Sequence, residues 1–373
     1  MTARYLFAGG GTGGHIYPAL AILEHLHAPH TLLVSSRAID ARILAAAGEP
    51  FVALPAQPVG LRPRALVRFL RGWAPSVRTV RRLIRDARAQ GESPHLVAMG
   101  GFIAAPAVQA ARAERVPVTL VNLDAVPGKA NRWIARRSSA IVTSAAAPGF
   151  DWPRVPPIVR AAARAADPPA VCRARLGLDA NVRTLLVTGG SQGARSINSL
   201  LIELARRRPD ALAGWQILHQ TGHGEDALVR AAYADAGARA LVVPFIERMA
   251  DAWGAADLAL CRSGANTVAE AWANAVPCLF LPYPYHRDEH QRLNAAPLVE
   301  AGAAVVATDR IDAGANLADA GETLGTLLTD ADARARMKSA FDALGPADGA
   351  ARVAATLLEA AARAEERASW LAR

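Results

Sequence analysis

The first residues that could do chemistry form a glycine-rich stretch near the start of the chain. Residues 9–15 read Gly-Gly-Gly-Thr-Gly-Gly-His and follow a short apolar run. Glycine lets the backbone approach a ligand closely, and the amides that open a following helix attract negative charge. The loop therefore predicts a pyrophosphate site. His15 stands where that helix begins, and the positive helix end should hold its pKa down, which makes it a candidate general base.

The same loop leaves a second interpretation open. The spacing Gly9-x-Gly11-x-x-Gly14 matches a dinucleotide-binding fingerprint. An NAD site requires an acidic residue at the end of the second strand, where residues 35–37 read Ser-Ser-Arg. NAD is therefore disfavoured, whereas Arg37 keeps an NADP-dependent oxidoreductase as an alternative of another class. Neither glycine loop is followed by Gly-Lys-Ser/Thr, which argues against a P-loop kinase or GTPase.

Two further clusters could bind a nucleotide. Residues 189–193, Gly-Gly-Ser-Gln-Gly, precede another predicted helix, and the loop is as well explained by a phosphate site as by a plain turn. Glu270 lies about one turn into a later predicted helix. A carboxylate there could accept two hydrogen bonds from a ribose diol, or could simply complement the helix dipole.

Polar side chains are dense between residues 286 and 294. Within nine residues the chain carries His286, Asp288, His290, Gln291 and Asn294, which is typical of a polyol site. The first three of these could alternatively bind zinc, but their spacing suits neither a helix face nor a known zinc pattern. The interpretation is a sugar-binding site with no metal.

The elements that must position these loops alternate between short apolar runs and helical patterns. This alternation predicts an α/β protein with parallel sheets, and strand, glycine loop and helix recur about 180 residues apart. A proline-rich stretch over 152–170 predicts a linker. We expect a domain over 1–160, a second over 161–349, and a C-terminal helix over 350–373 that packs back on the first. The expected architecture is two doubly wound Rossmann-like domains facing a cleft, with ligands beyond the carboxyl ends of the strands.

Charge and cysteine content narrow the partners. The formal net charge is +9 over 373 residues, and nine arginines lie in residues 61–88 among apolar residues at helical spacing. Such a segment suits an anionic membrane surface, although an ordinary arginine-rich surface helix is the alternative. No nucleic-acid-binding motif accompanies the charge. Three scattered cysteines predict no disulfide framework and a reducing compartment, and no apolar run predicts a signal peptide or a membrane span.

Taken together, the clusters resemble the MurG family of N-acetylglucosaminyltransferases. Matching stretches occur in the family's order over most of the chain: GGGTGGHIYPALAI, MGGFIAAPA, GKANRWIAR, TGGSQGARSIN, FIERM, CRSGANTVAEA and HRDEHQRLNAAPLVEAGAA. The resemblance implies the glycosyltransferase B fold and transfer from UDP-N-acetylglucosamine to an undecaprenyl-linked acceptor at the cytoplasmic face of the plasma membrane. It further implies inversion at the anomeric centre without a metal or cofactor. Asp330-Ala331-Asp332 is therefore interpreted as a solvated face.

By position, the resemblance also implies individual roles. Ile246 would meet the uracil with its backbone, Glu270 would hold the ribose, and His290 and Gln291 would bind the sugar. Ser191, Gly264, Ala265 and Arg160 would serve the donor phosphates. Gly11, Thr12, Gly13 and Gly14 would bind the acceptor pyrophosphate, and Gln192 and Asn131 are further substrate-binding candidates.

One departure from the family pattern concerns the base. Where members carry His-Glu-Gln-Asn, residues 121–124 read Val-Asn-Leu-Asp. The glutamate is replaced by Asn122 and the asparagine by Asp124. Asp124 is therefore a second candidate base beside His15, and a related transferase with another sugar or lipid acceptor is the alternative function.

Overall fold

The chain folds into two compact units, each built around its own sheet. The computed structural model describes residues 2–11, 13–60, 62–190 and 192–371, with side chains up to residue 363. The first unit comprises the described parts of residues 1–160 and 348–373, and the second comprises those of residues 161–347. The second unit therefore lies, in sequence, between two parts of the first.

The first unit is a six-stranded parallel sheet with helices between the strands. Its strands are β1 (Ala3–Ala8), β2 (His30–Ser35), β3 (Phe51–Leu54), β4 (Ser93–Ala98), β5 (Val118–Asn122) and β6 (Ala140–Thr143). Its helices are α1 (Gly13–Leu23), α2 (Ala38–Ala47), α3 (Pro63–Ala89), α4 (Gly101–Ala113), α5 (Lys129–Ala135) and, at the end of the chain, α15 (Gly349–Leu371). The strand order is β3-β2-β1-β4-β5-β6, the doubly wound order in which the chain changes direction between the first and fourth strands.

The core of this unit explains why the strands read as apolar runs. Leu6, Leu33, Leu96 and Leu120 come from four neighbouring strands and are essentially inaccessible to solvent. Such residues are needed on both faces of a parallel sheet because helices cover both faces. The edge strand β3 was not predicted from the sequence, and its first residue, Phe51, is exposed.

The final helix α15 packs on this first sheet. The Tyr5 hydroxyl in β1 donates to the Leu357 carbonyl at 3.1 Å, in a buried position. Where α15 begins, Gly349 lies so close to the Pro156 carbonyl that a Cβ atom would overlap it. These contacts attach a distant segment of sequence to the core of the first unit.

The second unit repeats the plan. Its strands are β7 (Arg183–Thr188), β8 (Trp215–Gln220), β9 (Arg239–Val243), β10 (Leu258–Cys261), β11 (Cys278–Phe280) and β12 (Ala304–Val306). Its helices are α6 (Pro169–Arg175), α7 (Arg195–Arg207), α8 (Asp226–Asp235), α9 (Met249–Ala255), α10 (Ala265–Ala273), α11 (His290–Glu300), α12 (Ala313–Ala318), α13 (Ala320–Thr329) and α14 (Ala331–Ser339). The order β12-β11-β10-β7-β8-β9 places the change of direction between β7 and β10.

Several sequence predictions are refined by these elements. The helix expected from about residue 16 begins at Gly13, so the last glycines of the first loop already belong to it. Within the predicted proline-rich linker, α6 begins at Pro169, since proline suits the first turn of a helix. Asp330 caps α14 by accepting the Ala333 amide at 2.8 Å, and Asp332 is exposed, so the Asp-x-Asp sequence has a structural explanation.

No helix in the described part of the chain combines the length and apolar character needed to span a membrane. Among the described side chains, no three His, Cys, Asp or Glu residues gather in a group that could hold a metal ion.

Candidate functional site

In the first unit, the glycine loop lies at the point where the sheet changes direction. It follows β1, and the Gly100-Gly101 pair follows the neighbouring strand β4. Ligands of doubly wound sheets bind at this position. Both glycines of the pair have positive φ angles, +102° and +75°, and so has Gly11, at +92°. A side chain at any of these three positions would strain the backbone, so glycine is required by the conformation.

The backbone of Gly11 is held on both sides. Its N–H donates to Asp40 Oδ2 at 2.7 Å, and its carbonyl accepts from Arg37 Nη1, also at 2.7 Å. The Gly11 amide, predicted to face a pyrophosphate, therefore donates to a carboxylate of the protein. Gly13, Gly14 and the residue after them form the first turn of α1, whose N–H groups have no intrahelical acceptor. Thr12, which was predicted to share this role, lies outside the described residues.

His15 is half-buried at the start of α1. Its Nδ1 atom is buried and has no hydrogen-bond partner among the described residues. A Cβ atom built on Gly100 would lie 3.2 Å from His15 Nε2 and 2.9 Å from Asn131 Oδ1, so the imidazole and this amide flank the same glycine. Burial lowers the pKa of His15, opposed by the nearby carboxylates of Asp124 and Asp40. The predicted direction of the pKa shift is right, but burial is its largest cause.

The residues of the family departure form a polar network at the end of β5. The fully buried Asn122 accepts a hydrogen bond from Asn131 Nδ2 at 3.0 Å and donates to the Asp124 carbonyl at 2.8 Å and to Thr143 Oγ1 at 3.0 Å. The carboxylate of Asp124 is partly exposed and close enough to raise the pKa of His15. These two substitutions thus place a neutral amide, Asn122, at the buried position and a negative charge, Asp124, beside His15.

In the second unit, the loop over 189–193 follows β7 at the equivalent point of the sheet. Gly190 and Gly193 have φ angles of +81° and +73°, and a Cβ atom on Gly193 would overlap the Thr221 carbonyl. The loop conformation therefore requires glycine at these positions. Gln192 is exposed beside them, and Ser191 lies outside the described residues.

Gln220, which sequence reasoning missed, connects this loop to the predicted uracil contact. Its Oε1 atom accepts from the Ile246 amide at 3.0 Å, and its Nε2 atom donates to the Gly190 carbonyl at 2.7 Å. Since the Ile246 N–H is occupied in this way, a base would have to use the Ile246 carbonyl. The available signal was the position of Gln220 at the carboxyl end of β8, where ligand-side residues gather.

Glu270 has a fixed partner on one of its oxygens. Gly264 caps α10, which begins at Ala265, and Glu270 lies in the second turn of that helix. The indole N–H of the fully buried Trp253 donates to Glu270 Oε2 at 2.8 Å. This bond orients the carboxylate, which is only partly buried.

The polar run after residue 282 clusters at the start of α11. The rings of His286 and His290 are 4.3 Å apart, and His290 Nδ1 lies 2.8 Å from Asp288 Oδ1, which lowers the pKa of this aspartate. Gln291 accepts the Tyr283 amide at 2.9 Å through Oε1, which leaves its two side-chain N–H groups for other acceptors. His286, Asp288, His290 and Gln291 are thus brought together, whereas the buried Asn294 donates to the Ser263 carbonyl at 3.4 Å.

A buried ion pair behind these loops was not predicted. Arg262 contacts Asp309 at 2.7 Å and also donates to Ser196 Oγ at 2.8 Å and to the Leu281 carbonyl at 2.8 Å. It therefore connects the start of α7 to the segments that follow β10 and β11. Arg262 gave no signal in the sequence, because its partners Ser196 and Asp309 are distant along the chain.

The comparisons with known proteins agree with one another. The N-terminal and C-terminal domain models of glycosyltransferase family 28 match residues 5–143 and 184–353. A UDP-N-acetylglucosamine–N-acetylmuramyl-(pentapeptide) pyrophosphoryl-undecaprenol N-acetylglucosamine transferase of Clavibacter michiganensis is 37% identical, over 96% of each chain. One of the same name from Frankia casuarinae is 34% identical, over 97% of each chain.

The chain belongs to the MurG family. The crystal structure of Acinetobacter baumannii MurG is 25% identical, with a TM-score of 0.69 over 96% of this chain and 99% of that one. A Neisseria meningitidis UDP-GlcNAc 2-epimerase bound to UDP-GlcNAc is 14% identical, with a TM-score of 0.58 over 96% and 100%, which shows a common fold alone. The resemblance, the glycosyltransferase B fold class and the assignment as a glycosyltransferase are confirmed.

Family membership and the contacts of Arg37 bear on the oxidoreductase alternative. That alternative needed the Arg37 side chain to bind the 2′-phosphate of NADP. The guanidinium donates to the Gly11 carbonyl and lies 5.4 Å from the Phe102 ring centroid, so it serves the glycine loop. The NADP interpretation is therefore abandoned.

Arg160 belongs to the first unit, beside the helix that follows the first glycine loop. Its Nε atom lies 3.8 Å from Glu24 Oε1, and its guanidinium lies 5.4 Å from the Tyr17 ring centroid. Tyr17 is a residue of α1, and Glu24 directly follows that helix. Its role toward a donor phosphate stays a prediction.

Proposed function

We propose that the protein transfers N-acetylglucosamine from UDP-N-acetylglucosamine to the 4-hydroxyl of undecaprenyl-pyrophosphoryl-N-acetylmuramoyl-pentapeptide, forming lipid II from lipid I in peptidoglycan synthesis. The observation that carries this proposal is the 34–37% identity, over almost the whole of both chains, to transferases of that name. The polar residues at the ends of the strands supply chemistry that suits it.

The donor is bound by the second unit. The Ile246 carbonyl meets the uracil, and Glu270 accepts from the ribose diol. The amides that open α10 at Gly264 and Ala265, together with the loop over 189–193, hold the pyrophosphate. A helix N-terminus carries partial positive charge, so it stabilises the negative charge that develops on the departing UDP. We therefore expect the reaction to need no metal.

The acceptor is bound by the first unit. The opening amides of α1 hold its pyrophosphate, with Asn131 beside them. His15 Nε2 takes the proton of the 4-hydroxyl while that oxygen attacks the anomeric carbon and the bond to UDP breaks. A single displacement of this kind inverts the anomeric centre. Because burial lowers the pKa of His15, the imidazole is neutral and able to accept a proton at neutral pH.

The membrane surface is met by the first half of α3. Each of residues 62–71 is at least partly exposed, and Leu66, Val67 and Leu70 are 47%, 45% and 60% exposed beside the arginines of the same segment, Arg62, Arg64, Arg68 and Arg71. The second half packs on the sheet through Val80 and Ile84. Two of its arginines, 81 and 85, bind Glu114 at 2.7 and 2.8 Å. Exposed apolar residues among cations are what an anionic lipid surface binds, and we infer peripheral attachment at the cytoplasmic face.

The donor and product assay tests the reaction. We expect calorimetry in EDTA to give tighter binding of UDP-N-acetylglucosamine than of UDP-glucose, and turnover of a lipid I analogue to a β-linked disaccharide product. Loss of turnover in EDTA would contradict the metal-free mechanism. UDP binding without preference for N-acetylglucosamine would instead favour a related transferase with another sugar, the alternative that the Asn122 and Asp124 substitutions support.

The membrane assignment has its own test. The triple substitution Leu66→Ser, Val67→Ser, Leu70→Ser should abolish sedimentation with phosphatidylglycerol vesicles at low salt. Leu228→Ser, at a 57% exposed leucine of the second unit, is the matched control and should bind as the unaltered protein does. Equal binding by the triple variant would show that α3 does not dock on lipid.

A further inference from the structure

Asp40, on α2, is a buried carboxylate that none of the proposed substrate contacts uses. It is fully inaccessible to solvent. Its Oδ2 atom accepts three hydrogen bonds, from Gly11 N at 2.7 Å, Ser35 N at 3.0 Å and Ser35 Oγ at 2.6 Å. Its Oδ1 atom is buried without a hydrogen-bond partner among the described residues. Burying a charged group is costly unless hydrogen bonds or an opposite charge compensate for the lost water.

The bonds of Asp40 act on the glycine loop rather than on its own helix. Asp40 takes the N–H of the Gly11 peptide, and Arg37 binds the carbonyl of the same residue at 2.7 Å. Gly11 has a φ angle of +92°, and glycine, which has no Cβ atom, adopts positive and negative φ angles about equally readily. Fixing both sides of this residue fixes the direction in which the chain enters α1, and therefore the position of the amides at Gly13 and Gly14.

Asp40 also acts on His15 by its charge. The carboxylates that act on His15 come from two elements, Asp124 after β5 and Asp40 on α2, and the cation Arg37 binds the loop through the Gly11 carbonyl. Both carboxylates raise the pKa of His15 against the larger effect of burial, Asp124 more than Asp40. Without them the imidazole would be a weaker base.

We propose that Asp40 is a positioning residue for the acceptor half of the site: with Arg37 it holds the backbone of Gly11, and thereby the opening turn of α1 on which His15 stands. This inference rests on the proposed roles of His15 and the opening turn of α1. Asp40 itself touches neither substrate. It acts through the loop and through the imidazole.

The test separates the charge from the hydrogen bonds. Asp40→Asn removes the charge, and we expect the NMR titration of His15, assigned with a His15→Asn protein, to move to lower pH. Asp124→Asn should move it further in the same direction. The acid limb of kcat/KM should move with the titration. The exposed Asp86→Asn is the matched control and should leave both unchanged.

Arg37→Gln tests the hold on the peptide without altering the buried carboxylate. Because Arg37 is exposed, this variant should fold, and we expect the KM for the lipid acceptor to rise about tenfold, as for a displaced loop, with the donor KM unchanged. An unchanged His15 titration in folded Asp40→Asn protein would overturn the role of the charge. An unchanged acceptor KM in Arg37→Gln would overturn the positioning role. This outcome decides the question even if the Asp40→Asn protein does not fold.

These outcomes are distinct from a failure of the proposed function. If the unaltered protein did not turn over lipid I, the reaction assignment would be wrong. The NMR titration of His15 would still report whether the charge of Asp40 acts on it. If turnover were normal and both Asp40→Asn and Arg37→Gln behaved as the unaltered protein does, only the inference about positioning would be lost.

Discussion

Replacing Asn122 with aspartate should destabilise the protein, although the two side chains have almost the same shape. The Asn122 amide nitrogen donates to the Asp124 carbonyl at 2.8 Å and to Thr143 Oγ1 at 3.0 Å. Thr143 already donates its own hydroxyl proton to the Ala145 carbonyl at 2.8 Å. An aspartate oxygen at this place would therefore face two acceptors and no donor. Only the bond from Asn131 would survive.

The magnitude follows from these contacts. A buried polar group left without its hydrogen bond costs about 1–3 kcal/mol, so losing two donations costs about 2–6 kcal/mol. This is a large part of the ~5–15 kcal/mol by which a folded domain is stable. The penalty must depend on pH, since burial among acceptors would raise the pKa of the new carboxyl above that of the unfolded chain. The penalty is complete above the raised pKa and disappears as the pH falls toward the unfolded value of about 3.9.

Urea unfolding of the variant and the unaltered protein at a series of pH values checks this reasoning. The difference in unfolding free energy should be large at pH 7 and should shrink on acidification, because a protonated carboxyl can donate again. Asn181→Asp, the same chemical change at an exposed residue, is the control and should cost less than about 0.5 kcal/mol. A difference at position 122 as small as the control's, or one that does not shrink in acid, would refute the assigned network.

Three further outcomes are expected. Glu270→Ala should weaken UDP-N-acetylglucosamine binding by at least about 100-fold in calorimetry, since two bonds to a carboxylate are lost; an unchanged affinity would remove the ribose role. Burial lowers the pKa of His95 to about 4 and that of His219 to about 3, so the unfolded state binds more protons below pH 6.5. Each of these two histidines should lower the free energy of unfolding by about 2 kcal/mol at pH 5 relative to pH 7. Replacing either histidine with glutamine should therefore flatten the acid branch of the profile of unfolding free energy, measured in urea, against pH. Gly72→Ala should destabilise by about 1–3 kcal/mol, because the added Cβ would overlap a backbone carbonyl of the preceding loop, whereas Gly325→Ala, in open space on α13, should not.

The departure at residues 121–124 can be understood as a relocation of charge. The family's glutamate would place a carboxylate at the end of β5, where this chain has the buried Asn122. The chain instead carries its carboxylate two residues later, at Asp124, where it is partly exposed and raises the pKa of His15. Restoring the glutamate alone would bury a charge among acceptors. The two substitutions are therefore expected to depend on each other, which a double-mutant cycle would measure.

The sequence by itself determined the elements and the family. Apolar runs such as that of β1 predicted buried parallel strands, because both faces of such a sheet are covered, and the glycine loops predicted where the backbone must turn sharply toward a ligand. These are local signals, carried by residues adjacent in the chain. The short edge strand β3 was missed although its residues, Phe51–Leu54, are all apolar, because so short an apolar run does not by itself distinguish a strand from another buried segment.

Only the tertiary structure decided how the site is held together. Asp40 reaches Gly11 across 29 positions, and Gln220 reaches Ile246 across 26, because neighbouring strands of a doubly wound sheet end at the same edge. No spacing rule in the sequence encodes such a contact. The pKa of His15 is a similar case: its direction was predicted from a local helix end, but its main cause is burial by segments that only folding brings together.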